Sequence, residues 1–324
     1  MTNWQTKVSI KKPPFPISLG SSFYSIGSCF SNHLQNSLSN NLFYVTPSPF
    51  GIEYNFISMS QGLSQVLSGN NYQLKDLIKT TTGYSTWAHH SQVTFQNQNE
   101  LLLHLNKSLE QARLSLNEIN YLIITPGTSY CYYLKDTSVA VNNCHKMPQT
   151  LFTRRSSSIE EIISSLAPCL DQIKNINKKV KFIFTLSPVK HLRDDPTENS
   201  YSKAICRCAI EELVKKFNEN SYYFPSYEIM TDELRDYRFY DENMTHPSTE
   251  ATQFIISKFF ETFLNENDLN FIKEWIQITK FLQHKNDYPS ITDYLNANPI
   301  QKNKILTLKS SKPHLNWAAF SKIF

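Results

Sequence analysis

Two polar residues, far apart in the sequence, could together form a nucleophile and its base. Ser28 comes directly after Gly27, which ends an apolar stretch at residues 23–26. The apolar residues that follow Ser28 are spaced as on one face of a helix. A serine at such a strand-to-helix turn lies beside unpaired N–H groups and the positive end of the helix dipole, which favour an oxyanion. His246, just before the last strongly apolar helical segment, is the best placed of the nine histidines to activate it. Either motif alone is more typical of helix capping, so the pair indicates chemistry only if the fold brings both residues together.

Composition excludes several classes of function. The 324 residues carry a net charge of only +4, without the clustered basic surface of a nucleic-acid-binding protein, so we expect no nucleic-acid partner. The N-terminus has no signal-peptide pattern, and no window approaches about 18 uninterrupted apolar residues, so we expect a cytoplasmic protein without a transmembrane segment. The six cysteines show no CxxC spacing and no accompanying zinc-type histidines, which predicts free thiols, no metal and no cofactor.

Apolar strands alternate with helical segments along most of the chain. Strand patterns cover residues 23–26, 42–45, 120–125, 180–186 and 222–224, and helical patterns cover residues 57–67, 101–116, 158–173, 202–217 and 248–264. Because the connections are long enough for parallel strands, the pattern predicts an α/β fold with an open, doubly wound sheet and helices on both faces. Residues 130–146 resemble a hairpin. We expect one α/β domain over residues 1–264 and a helical C-terminal extension over residues 265–324, packed on it or trailing from it.

Several small or polar residues follow directly after these strands. Ser28, Gly51 and Thr128 each come shortly after a predicted strand, and His246 precedes the last helix of the sheet. In doubly wound sheets, ligands bind at the carboxyl ends of the strands. We therefore expect these residues to share one edge of the sheet.

The segment Gly27-Ser28-Cys29-Phe30 resembles the signature of the bacterial GSCFA-domain family, whose members are relatives of the SGNH (GDSL-like) hydrolases. Similar blocks follow in the family's order over roughly residues 5–300, namely residues 49–55, 87–91, 125–128 with 143–146, 184–192, 198–199 with 202–204, and 237–240 through 246–247. The resemblance implies a three-layer αβα sandwich with a flavodoxin-like, SGNH-type sheet.

On the hydrolase pattern, the resemblance implies that Ser28 attacks an ester carbonyl and His246 acts as the general base. The backbone N–H groups of Ser28 and Gly51 would hold the oxyanion, together with a side-chain donor. At the position where these hydrolases keep an asparagine, this chain has Ser129. Asn143 or Thr128 could supply the donor instead. We further expect His90 to contact the substrate, and we keep Cys29 as an alternative nucleophile because a thiol is intrinsically more nucleophilic at neutral pH.

One residue departs from the hydrolase pattern. SGNH enzymes place an aspartate three residues before the histidine, where this chain has Asn243. An asparagine carbonyl can orient an imidazole N–H, but it cannot stabilise imidazolium by charge. Asp241 or Glu242 could restore a carboxylate. Three outcomes are therefore open: a working triad that uses Asp241, a weaker Ser-His-Asn set, or a decayed site.

These residues predict a serine-dependent acyl ester hydrolase or acyltransferase with an acyl-Ser28 intermediate, acting on an acylated carbohydrate or lipid. Water or a carbohydrate hydroxyl would be the acceptor. The alternative is a weakened or inactive module that binds an acylated glycan or a lipid head group, and Asn243 is the feature that favours it.

Overall fold

A five-stranded parallel sheet forms the centre of the computed structural model, which describes residues 6–193, 195–283 and 290–320. The strands of these ranges are β1 Ser22–Gly27, β2 Tyr44–Pro47, β3 Ile78–Thr80, β4 Gly83–Ser85, β5 Tyr121–Thr125, β6 Tyr130–Leu134, β7 Ala140–Val141, β8 Phe152–Ser156, β9 Lys181–Thr185 and β10 Ser221–Phe224. The helices are α1 Cys29–Asn40, α2 Phe56–Ser68, α3 Gln98–Glu118, α4 Ile159–Ile176, α5 Pro196–Phe217, α6 Ser226–Glu228, α7 Thr249–Phe263, α8 Glu266–Gln283, α9 Ile291–Ala297 and α10 Pro299–Ser311.

The main sheet has the order β10-β9-β5-β1-β2, and its strands are parallel throughout. The chain leaves β1 toward β2 on one side and then returns to β5 on the other, so the carboxyl ends of β1 and β5 flank the switch point of the sheet. Open α/β sheets bind their ligands in the crevice outside this point. The predicted doubly wound sheet is confirmed, and Ser28 lies directly at its switch point.

Both faces of the sheet are buried, which makes the fold a three-layer sandwich. Successive side chains of a strand point to opposite faces, so Phe23 and Tyr24 of β1 belong to two different cores. The Phe23 side is covered by α1, α7 and α8, and the Tyr24 side by α2 to α5. Strands buried on both faces have near-continuous apolar sequences, and for this reason the sheet was visible in the sequence.

Two smaller sheets accompany the main one. The predicted hairpin is confirmed by antiparallel β6 and β7, and β8 pairs with the other side of β6. β8 and the β3–β4 hairpin were not predicted. Arginine and threonine occupy most of β8, and β3 and β4 have three residues each, so neither segment carries a clear apolar pattern.

Helix α8 packs on the same core as β1. Its Trp275 is fully buried, and the indole Nε1 donates a hydrogen bond to the carbonyl oxygen of Asn40, at 2.8 Å. Phe271 and Ile272 of the same helix are also buried. The described part of residues 265–324 therefore packs against the end of α1. Within the described ranges, every helix is too short or too polar to span a bilayer.

Candidate active site

Ser28 is the residue that joins β1 to α1. It occupies the N-cap position, but its side chain makes no capping hydrogen bond. Its Oγ is buried and has no hydrogen-bond partner among the described residues. A buried hydroxyl without a partner costs free energy, so an unused Oγ at this position is unlike an ordinary capping serine. The hydroxyl is closed to solvent in this conformation.

The turn before Ser28 requires glycine. Gly27 has φ +148°, and a Cβ at this position would lie 2.5 Å from the carbonyl oxygen of Thr125. The same carbonyl accepts the N–H of Ser28 at 2.9 Å. This close approach fixes the end of β1 against the end of β5. It also occupies the Ser28 N–H, one of the two backbone donors expected for the oxyanion.

His246 lies on a turn that leads into α7, with 42% of its side chain exposed. Asn243 organises this turn, because its Oδ1 accepts the backbone N–H groups of Thr245 at 2.8 Å and His246 at 3.0 Å. Such Asx turns are stabilised by asparagine or aspartate. Met244, which lies between Asn243 and Thr245, adopts a left-handed conformation with φ +57°. Asn243 thus has a structural role as well as its place beside the imidazole.

Both polar atoms of the Asn243 amide are near His246 Nδ1, with Oδ1 at 3.3 Å and Nδ2 at 3.0 Å. Nδ2 also donates to Asp241 Oδ2 at 3.0 Å, and that carboxylate lies 3.9 Å from Nδ1. The structure therefore places Asn243 in direct contact with the imidazole and Asp241 behind it. Glu242 is exposed on the same turn.

The protonation of Nδ1 decides what His246 can do. If Nδ1 carries the proton, it donates to Asn243 Oδ1, and Nε2 is free to act as a base. If Nδ1 is unprotonated, it accepts a hydrogen bond from Asn243 Nδ2 or from Thr245 Oγ1, each at 3.0 Å, and Nε2 carries the proton instead. A carboxylate at position 243 would select the first tautomer, whereas an amide supports both.

No hydrogen bond joins Ser28 to His246 in the part of the chain that the structure describes. The His246 turn nevertheless lies at the same edge of the sheet, because the backbone N–H of Lys190, shortly after β9, donates to the carbonyl oxygen of Thr245 at 2.9 Å. The sequence prediction that the two distant segments meet at one edge is consistent with this placement.

Gly51, Thr128 and Ser129 are engaged in internal contacts, whereas the contact of Asn143 involves its acceptor oxygen and not the amide N–H group predicted as a donor. The Gly51 N–H donates to Ser48 O at 3.3 Å, and Asn143 Oδ1 accepts the N–H of His145 at 2.8 Å. Thr128 Oγ1 and the Ser129 N–H are both within 2.9 Å of Ser202 Oγ. Gly51, with φ +76°, lies against His90, since a Cβ at position 51 would be 3.1 Å from the His90 Cβ. The structure thus places Gly51 beside His90, and it places Thr128 and Ser129 beside Ser202.

A second group at this edge was not assigned a role from the sequence. The carbonyl oxygen of Tyr54 accepts the N–H groups of Gly127 at 2.7 Å and Thr128 at 3.1 Å. The Tyr54 ring packs edge-on against His191, with centroids 5.7 Å apart. The buried Nε2 of His191 has no hydrogen-bond partner among the described residues, and a Cβ at Gly127 would lie 2.5 Å from it.

Lys203 of α5 adds a buried amine. Its Nζ donates to Ser187 O, just after β9, at 2.7 Å. Burial lowers the pKa of Lys203 to about 7, and burial, with the charge of Lys203 as a smaller cause, lowers the pKa of His191 to about 3. The family-like blocks at residues 184–192 and 202–204 contain both residues, and that resemblance was the only sequence signal for them. The described residues include no cluster of His, Cys, Asp or Glu suited to a metal ion.

These features define the class of protein as a parallel α/β sandwich. At its switch point lies a serine whose hydroxyl has no partner among the described residues, and a turn that carries a histidine lies at the same edge. The model of the GSCFA family matches residues 22–259, which is most of the chain. The chain therefore belongs to the GSCFA family, as its signature indicated.

The chain also resembles two solved structures. One is an acetyl xylan esterase (Est2A) from the rumen bacterium Butyrivibrio proteoclasticus, with 10% identity, a TM-score of 0.41, and coverage of 79% of this chain and 66% of that one. The other is a carbohydrate esterase family 2 enzyme with a carbohydrate-binding domain from Corynascus thermopiles (Myceliophthora fergusii), with 11% identity, a TM-score of 0.39, and coverage of 78% and 68%. Among curated proteins, a sequence comparison finds no match.

Proposed function

We propose that this chain is a serine-dependent acyl ester hydrolase that can also transfer the acyl group to a hydroxyl. The observation that carries the proposal is the Ser28 hydroxyl, which lies at the switch point of the sheet, caps nothing and has no partner among the described residues. A hydroxyl in this position has the nucleophile's place in an α/β sheet.

The proposed reaction has two halves. His246 Nε2 takes the proton of Ser28 Oγ, and Oγ bonds to the ester carbonyl carbon. The tetrahedral intermediate collapses as the ester C–O bond breaks, and the leaving alkoxide takes the proton back from Nε2. Water, or an acceptor hydroxyl, then gives its proton to Nε2 and attacks the acyl-Ser28 carbonyl. The C–Oγ bond breaks as Nε2 returns this proton to Oγ, which releases the acid or the new ester and restores the serine.

Asn243 and Asp241 would support His246 as the base in two ways, by orienting its imidazole and by supplying charge. Asn243 Oδ1 accepts the Nδ1 proton of His246, and Asp241 holds the amide in that orientation through Nδ2, at 3.0 Å. The Asp241 charge acts on the imidazolium from 3.9 Å without a direct hydrogen bond. Because the pair is about 40% exposed, its contribution is screened, and we place it at about 1 kcal/mol or less.

The site must open before an ester can reach Ser28. The hydroxyl is buried, and both Tyr54 and His191 lie at the same edge, in ring contact with each other. Loop motions take place on a nanosecond to microsecond scale, so an opening of this edge is compatible with catalysis. We infer a closed resting conformation for the esterase.

Kinetics on a small ester test the proposal. We expect the wild type to hydrolyse p-nitrophenyl acetate, and Ser28→Ala and His246→Ala to lower kcat by at least about 10³-fold. Ser164→Ala, a change of an exposed serine on α4, is the matched control and should leave kcat unchanged. Full activity in Ser28→Ala would refute the acyl-Ser28 intermediate, and loss in Cys29→Ala alone would point to the thiol.

The burial of Ser28 Oγ and the absence of a bond to His246 among the described residues favour a second candidate function, a module that binds an acylated glycan or lipid head group without turnover. It predicts saturable binding of an acetylated oligosaccharide with no hydrolysis by the wild type. Measurable release of acetate that depends on Ser28 excludes this candidate.

A further inference from the structure

A groove of about 550 Å³ runs between α1, α7 and α8 and begins at Pro247, the residue after the candidate base. Its volume is in the range of ligand-binding clefts. The exposed His33 of α1 also lines it. Because Pro247 directly follows His246 in the chain, this end of the groove adjoins the candidate active site.

The two walls of the groove differ in chemistry. Asn36 and Asn40 of α1 and Asn41, which caps its C-terminus, contribute amide side chains. The opposite wall contributes the aliphatic side chains of Ile256, Ile272 and Ile276, with polar residues such as Thr252 and Gln253 between them. The charged residues that line it, Glu261, Lys273 and Lys280, are exposed to solvent. The groove therefore presents amides on the α1 side and aliphatic side chains interspersed with hydroxyl and amide groups on the α7 and α8 side.

We propose that this groove binds the neutral saccharide portion of the ester substrate, an inference that rests on the proposed function and names its substrate class. A sugar ring presents hydroxyl groups at its edge and C–H groups on its faces, which matches an amide wall opposite one that combines aliphatic with polar side chains. Amides donate and accept, as hydroxyls do. An acyl chain would instead cover the amides and leave them without partners, which is unfavourable for each amide buried in this way.

Asn41 provides a second observation. Its side chain is 95% buried, its Nδ2 donates to Ser37 O at 2.7 Å, and its Oδ1 has no donor among the described residues. A saccharide hydroxyl bound against Asn41 would supply the missing donor. A hydrocarbon chain has no donor to offer.

Much of the apolar wall lies outside the part of the chain that the family model matches. The match ends at residue 259, and Ile272 and Ile276 belong to α8, Glu266–Gln283. Trp275 fixes α8 against the end of α1 through its buried ring and its bond to Asn40 O. The C-terminal extension therefore completes a binding groove, and the selectivity of this groove depends on residues added beyond the matched family region.

Selectivity measurements test the groove. Ile276→Trp should fill it, and Asn36→Ala removes an exposed amide without disturbing the core. In each variant we expect the ratio of kcat/KM for acetylated xylotetraose or mannotetraose to kcat/KM for p-nitrophenyl acetate to fall by about tenfold or more. Ile300→Trp is the matched control, because Ile300 is 82% exposed on α10 and does not line the groove, so its ratio should stay at the wild-type value.

Binding to Ser28→Ala tests the groove without any turnover. We expect unesterified xylotetraose or mannotetraose to bind this variant by calorimetry, and Ile276→Trp in the same background to abolish the binding. This result would support the groove even if the esterase proposal failed. Three outcomes would overturn it: no binding of either tetrasaccharide, tighter binding of tetragalacturonate than of both, or loss in Ile276→Trp of p-nitrophenyl palmitate hydrolysis alone.

Discussion

The exchange Asn243→Asp should make this protein a faster esterase. The Asn243 amide lies between His246 Nδ1 and Asp241, so a carboxylate in its place would accept the Nδ1 proton directly and select the tautomer whose Nε2 is a base. It would also stabilise the imidazolium by charge. Aspartate can keep the Asx turn, since its carboxylate accepts the same backbone N–H groups.

The expected size of the gain follows from the geometry. Loss of the carboxylate in a serine triad can cost about 10⁴ in rate. Asp241 already supplies charge at 3.9 Å from Nδ1, but the pair is about 40% exposed, and so it recovers only about fivefold of this factor. The new carboxylate would also lie beside Asp241, and like charges oppose each other's ionisation. We therefore expect kcat to rise by about 10- to 10³-fold, with KM little changed.

A double variant separates the two effects. In Asp241→Asn with Asn243→Asp, the amide and the carboxylate exchange places, the repulsion disappears, and residue 241 can still donate to residue 243. Steady-state hydrolysis of p-nitrophenyl acetate between pH 6 and 9 is the assay, and we expect the double variant to equal or exceed Asn243→Asp. If neither variant exceeds the wild type in kcat, then His246 is not the base that Asn243 orients.

Two further predictions concern stability. Gly27→Ala should lower the free energy of unfolding by about 3 kcal/mol or more, because its Cβ would lie 2.5 Å from Thr125 O. The control Gly69→Ala, at a residue with φ +76° and open space around it, should lower it by only about 1–2 kcal/mol. Urea unfolding measures both values, and equal values would contradict the tight β1–β5 approach. Burial raises the pKa of Glu53 to about 8, so its neutral carboxyl stabilises the fold fully below the unfolded pKa near 4.5, and this contribution is lost as the pH rises to about 8. Glu53→Gln should remove up to about 1.4 kcal/mol per pH unit from the fall in stability between pH 5 and 8, while the exposed control Glu219→Gln should not; an unchanged slope would show that Glu53 is ionised in the fold.

Most of the sheet was predictable because β1, β5, β9 and β10 are largely buried on both faces, unlike the edge strand β2. Strand β2 was predicted at residues 42–45 but runs from Tyr44 to Pro47, since Leu42, with φ +68°, and Phe43 are apolar for core packing before the strand begins. Helix α5 begins at Pro196 rather than near residue 202, and its signals were local: Asp195 caps it, and proline is favoured in the first turn.

The site was only partly predictable. Glycine before Ser28 and the helical spacing after it indicated a strand-to-helix turn at the sheet edge, and that turn is present. The burial of Ser28 Oγ and the use of its N–H by Thr125 arise from the approach of two strands about 100 residues apart, which no local pattern encodes. The burial of His191 Nε2 and of Lys203 likewise results from packing between elements that are distant in the sequence.

Labelling with a fluorophosphonate tests the serine nucleophile most directly. We expect the full-length wild type to gain one phosphonyl group by intact mass, with the modified residue mapped to Ser28 in the peptide that spans β1 and α1. His246→Ala should label much more slowly, and Ser28→Ala should not label at all. Unmodified wild-type protein after prolonged exposure, or equal labelling of Ser28→Ala, would contradict a catalytic Ser28.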